Sequence, residues 1–142
     1  MHAHSSFDYA IIRVVPRVER GECINVGVIL FCRTRRFLRA LIELDTQRLL
    51  ALDPESDIAL IKQHLATIPR ICEGGAEAGR IGQLSQSERF HWLVAPRSTI
   101  IQTSATHSGL CTDPVIAFDR LMETMVRLPS TTHRLNIDER QM

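Results

Sequence analysis

The sequence predicts an α+β domain, a mainly antiparallel sheet built from an N-terminal β-hairpin or meander plus a later strand and covered by helices on one face. Three observations predict it. Residues 7–44 are dominated by β-branched and aromatic runs; two acid–proline helix-start signals, Asp53-Pro54 and Asp113-Pro114, lie downstream; and no regular β-α-β alternation joins the two regions.

Phe7 to Val15 is the first expected strand, closed by Pro16, which cannot donate to a ladder. After Arg17–Glu22, the run Cys23 to Phe31 makes a second strand whose Gly27 marks a tight backbone approach or a bulge. A hairpin turning about Glu19 places Arg13 opposite Asn25 and Ile11 opposite Gly27. In the third strand, Phe37 to Leu44, Leu38, Ala40, Ile42 and Leu44 share one face while Arg39 and Glu43 take the other.

Asp45 then caps a short helical turn through Leu52. Asp53-Pro54-Glu55 reads as the start of a longer helix carrying Ile58, Ile61, Leu65 and Ile68 and stopping near Pro69. Gly74, Gly75, Gly79 and Gly82 suggest a flexible surface loop within one domain. Ser85-Gln86-Ser87-Glu88 has capping-box spacing ahead of Phe90, Trp92 and Leu93, which are expected in the core, although a strand competes there. Thr99 to Thr103 is a short strand. Asp113-Pro114 opens a last helix with Phe118, Leu121, Met122, Met125 and Val126 as its apolar stripe. The expectation is a single domain spanning 1–142, ordered over about residues 7–128, with a polar tail at 130–142 that frays.

A chain of 142 residues that is 44% hydrophobic suits one globular core. Its 17 Lys+Arg against 16 Asp+Glu leave a net charge of +1 with no long single-sign block, which argues against a histone-like cation. No apolar run approaches the roughly 20 residues that a bilayer span needs. The amino terminus carries no apolar signal core, so a soluble cytoplasmic protein without membrane association is expected. Cys23, Cys32, Cys72 and Cys111 are isolated in sequence and read as reduced thiols.

Two blocks carry a family resemblance. The string Tyr9-Ala10-Ile11-Ile12-Arg13-Val14-Val15-Pro16 precedes Arg20-Gly21-Glu22-Cys23-Ile24-Asn25-Val26-Gly27-Val28-Ile29-Leu30. A second block runs Phe90-His91-Trp92-Leu93, Pro96-Arg97-Ser98-Thr99-Ile100-Ile101-Gln102 and His107-Ser108-Gly109-Leu110. Together they resemble the bacterial family called domain of unknown function 3037, over roughly residues 7–128. Ala105 departs from it where a proline is expected, which bears on loop stiffness. The resemblance implies a compact bacterial domain with no settled catalytic residues. It also implies an encoded neighbour that is a kinase-like protein of the toxin-antitoxin type, and so a protein partner more than a reaction.

The polar residues of these blocks are Arg13, Arg20, Glu22, Asn25, Arg97, Ser98, Gln102 and His107. Gathered in one pocket, Arg, Asn, Ser and His groups would suit a carboxylate or phosphate, as an enzyme or an anion-binding module. The structural account is preferred: Arg20-Gly21-Glu22 makes the turn, Asn25 satisfies backbone groups, and Arg97 pairs with a carboxylate. His107 lies four residues from Cys111, a spacing that could bring imidazole and thiol together, yet a loop histidine held by carbonyls is favoured. No metal set and no cofactor motif is present, and Gly74-Gly75 and Gly79-Arg80-Ile81-Gly82 lack the features of a phosphate loop. Arg33, Arg35, Arg36 and Arg39 form a basic hairpin tip, a third option for binding nucleic acid. One Trp and one Tyr leave few stacking platforms, so a solvated tip that discourages edge pairing ranks above it.

Overall fold

The computed structural model describes residues 3–129. β1 (Ser5–Val14), β2 (Ile24–Cys32) and β3 (Phe37–Ile42) form the expected antiparallel meander. The other edge of β1 pairs with β4 (Ile101–Thr103) and, nearer its start, with β5 (His107–Cys111). Between these two short strands, Ser104 to Thr106 face Ala10 and Ile11, one residue too many for a regular ladder. Ser104 repairs the gap: its hydroxyl accepts from the Ile11 N–H at 2.8 Å, and its own N–H donates to the Ile11 carbonyl.

A bulge also resets the hairpin. Arg13 faces Asn25 as expected, but Ile12, not Ile11, faces Gly27, because Val26 is an extra residue on β2. That residue switches the side-chain parity of β2. Ile24 and Val26 point into one core with Ile29 and Phe31, while Val28, Leu30 and Cys32 point into another.

Helices therefore cover both faces of the sheet, where the sequence reading placed them on one. The first core lies under α1 (Thr46–Leu52), α2 (Ile58–Glu73) and α3 (Gln86–Leu93). The second lies under α4 (Pro114–Leu121) and the π-helical turn Met122–Val126, which contribute Phe118, Met122 and Val126. The unbroken apolar run of β2 is the sequence signature of a strand buried on both faces.

Local chemistry sets the helix ends. Asp45 caps α1 through Gln47 and Arg48, Asp113 caps α4 through Val115, and Ser85 with Glu88 closes a full capping box on α3. The start of α2 is corrected. Asp57 is its cap, and Asp53 instead ends α1 and organises a turn, accepting from the Glu55 N–H at 3.1 Å. Nor does Pro69 stop α2, which runs on to Glu73. A missing N–H costs one bond, whereas continuing buries Ile71 and Cys72 in the first core. The glycine-rich stretch is folded too: Gly75 donates to the Gly82 carbonyl at 3.0 Å across two 3₁₀ turns, Ala76–Ala78 and Ile81–Gln83. The 130–142 tail lies outside the described residues.

Candidate functional site

The polar residues of the two sequence blocks fall into four places. Arg13 sits in a cross-strand row between Asn25 on β2 and Gln102 on β4. Strand alternation buries Ile12 and Val14 under α2 and turns Arg13 to the opposite face, where it is half-buried. Its Nε donates to Asn25 Oδ1 at 3.3 Å, and Asn25 Nδ2 donates to the Met125 carbonyl at 2.9 Å. Asn25 thus satisfies backbone, as expected.

Arg20 and Glu22 pair with each other at the hairpin turn, where Gly21 takes a φ of +72°. His107 is not a loop residue but the first of β5, opposite Tyr9, with ring centroids 5.5 Å apart. Cys111 ends the same strand, and four extended residues separate their α-carbons by about 13 Å, so the thiol and imidazole do not meet. Asp8 accepts from the Ser108 hydroxyl at 2.6 Å.

Arg97 and Ser98 belong to a groove between α2 and the segment entering β4. Among the described residues Arg97 pairs with no carboxylate. Its guanidinium donates to the carbonyls of Trp92, Leu93 and Ala95 at 2.8, 3.0 and 3.2 Å, capping the C-terminus of α3, and stacks 4.6 Å from the Trp92 ring centre. Trp92 is correspondingly 43% exposed instead of in the core.

Two cavities make this groove. The larger, about 450 Å³, is lined by Val18, Leu60, Ile61, His64 and Ser98 through Ile101. The smaller, about 180 Å³, lies between Ile68, Trp92, Arg97 and Gln102. His64, Thr99 and Ile101 line both, so the two are continuous. Its walls are mostly apolar, and Val18, Leu60 and Ile100 are 42%, 47% and 42% exposed. Sequence reading missed Val18, Leu60 and His64. The available signals were Leu60, which falls off the buried stripe of α2, and the pair Ile100-Ile101, of which strand alternation can bury one member.

At the second hairpin tip, Arg33, Arg36 and Arg39 are exposed, while Arg35 is tied to Ser5 Oγ and to the Ala3 and Thr112 carbonyls. Arg39 lies 4.8 Å over Phe37. The four cysteines are free thiols, Cys23 exposed and the others buried. Burial pushes the Cys72 thiol up to about 12 and also raises Cys111, which is further raised by the neighbouring Cys32. Among the described residues no three His, Cys, Asp or Glu side chains are placed to hold a metal ion, and no helix is long and apolar enough to cross a membrane.

No curated protein and no solved structure matches this chain. A family model does, across residues 9–126 and therefore both polar blocks, the groove and nearly all of both cores. The chain belongs to the family described as protein of unknown function DUF3037.

Proposed function

We propose that this chain is a small cytoplasmic accessory domain that works by binding another protein in the groove between α2 and Ser98–Ile101. One observation carries the reading: Val18, Leu60, Trp92 and Ile100, each more than two-fifths exposed, flank a continuous apolar groove. Apolar side chains gathered around a concavity are the signature of a docking surface, whereas scattered ones are not. The partner of choice is the kinase-like neighbour that the family resemblance implies.

Co-expression with that neighbour followed by size exclusion tests the reading. The two proteins should co-elute at micromolar concentration, and Leu60→Asp or Ile100→Asp should separate them. Elution apart with the native chain removes the partner; co-elution that survives both substitutions removes the groove.

A second reading, anion binding or an enzyme of that kind, has one specific support. Arg13 lies in a row with Asn25 and Gln102, half-buried and outside every described ion pair. Phosphate titration followed by NMR shifts of the Asn25 and Gln102 side-chain amides beside Arg13 would test it, with unchanged shifts in Arg13→Gln as the control.

A further inference from the structure

β3 is the outer strand of the sheet, and its far edge has no partner among the described residues. Since the Glu43 N–H donates inward to the Val26 carbonyl, alternation turns the N–H and C=O groups of Leu38, Ala40 and Ile42 outward. The side chains of those three residues pack on the first core. On the opposite face Arg39, Leu41 and Glu43 are exposed, Leu41 by 38%. An edge of one sign would repel a copy of itself, whereas this one sets a cation and an anion evenly on either side of an apolar residue.

The adjoining flank of α2 repeats the pattern. A groove of about 520 Å³ runs between β3 and this flank, which carries Lys62, Ala66, Pro69 and Glu73 and lies opposite the flank facing Ser98–Ile101. Lys62 and Glu73 are placed symmetrically about the point midway between Ala66 and Pro69. Both are exposed, and neither belongs to an ion pair among the described residues.

We propose that this face binds a second copy of the chain about a two-fold axis at Leu41, β3 against β3 in antiparallel register. The axis sets Leu41 against itself and Arg39 against Glu43 of the second copy, while Ala40 and Ile42 of the second copy exchange backbone hydrogen bonds. The two grooves merge, and above them the α2 helices run antiparallel, bringing Lys62 toward Glu73 of the second copy and leaving Arg70 opposite Leu65. A two-fold reverses the direction of the chain, and reversal is the operation that turns both patterns into opposite-charge pairs. Of the four arginines near the hairpin tip, Arg39 alone lies within β3, so the others leave this half of the edge open. The proposal is independent of the partner-binding reading, because it uses the other flank of α2.

Sedimentation and amide exchange of the full chain test it. The native protein should show a doubled mass at roughly 100 μM or below. The Ala40 and Ile42 amides should exchange more slowly as the dimer fills. Lys62→Glu and Glu73→Lys should each raise the dissociation constant roughly tenfold, because each change acts twice in the dimer, and the chain carrying both should recover native affinity. Both side chains are exposed, so the fold should tolerate all three variants. A chain that is monomeric at that concentration would overturn the proposal. So would a dimer whose Ala40 and Ile42 amides exchange at the monomer's rate, or a double variant no tighter than the single ones.

Discussion

Arg89 on α3 donates from Nη1 to the Cys72 carbonyl at 2.6 Å and to the Ile71 carbonyl at 2.8 Å, closing the C-terminal end of α2 with a buried cation. Its Nε donates to the Leu84 carbonyl at 3.0 Å, so one guanidinium ties α2, the glycine-rich turns and α3 together. No carboxylate pairs with it among the described residues; the helix carbonyls and their dipole supply the compensating negative charge.

Arg89→Met should therefore destabilise the protein by about 3 kcal/mol, because buried carbonyls lose their donors. Arg89→Lys should recover part of that loss, since an ammonium cannot reproduce the fork. Urea denaturation of the three proteins checks the order.

Gly27→Ala should cost about 2 kcal/mol, through overpacking rather than conformational strain. A β-carbon there would collide with the Leu41 backbone carbonyl, which cannot rotate away, and press on Ile12 and Ile42. Denaturation midpoints check this, and a neutral substitution would show that β2 and β3 can separate.

Leu60→Asp and Ile100→Asp should leave stability within about 0.5 kcal/mol of native, because both side chains already meet solvent. Trp92 is the sole tryptophan and lies beside the groove, so its emission should shift to the blue when a partner covers it. A titration with no shift would place binding elsewhere.

Glu43 gives a pH dependence of known sign. The Arg127 hydrogen bond holds its carboxyl below the ordinary value of 4.5, against a smaller opposing effect of burial. A depressed carboxyl contributes stability above that ordinary value and loses it as pH falls through the folded one, so the loss should run from about pH 5 downward. Glu43→Gln should flatten this part of the stability curve. The difference should be small and shrink with added salt, since both partners are about two-fifths exposed.

Thiol reactivity should divide the cysteines. Cys23 should react with a disulfide reagent near neutral pH, while Cys72, pushed up to about 12 by burial, should react only after denaturation. Prompt labelling of Cys72 in the folded protein would contradict its place in the first core.

Most of the local signals in the amino acids announced the outcome. Asp45, Ser85 with Glu88, and Asp113-Pro114 cap helices because their side chains reach N–H groups two or three residues away, whatever surrounds them. The Arg13–Asn25 pairing was legible because the two strands are consecutive and their connection, residues 15–23, is centred on Glu19. Asp53 and Pro69 misled because a turn and a buried stripe outweighed their local preferences. Of the groove's lining, Arg97, Ser98 and Gln102 were singled out in the sequence, and the groove itself was not.

From composition, period and caps alone came the α+β class, the meander and most helix starts, all of which depend on neighbours along the chain. Folding decided the rest. The Val26 bulge switched which side chains of β2 face each helical layer, and α4 closed the second face. Val18, Leu60 and Ile100 became neighbours across one groove because a contact between residues far apart in sequence depends on register and packing, which no local pattern encodes.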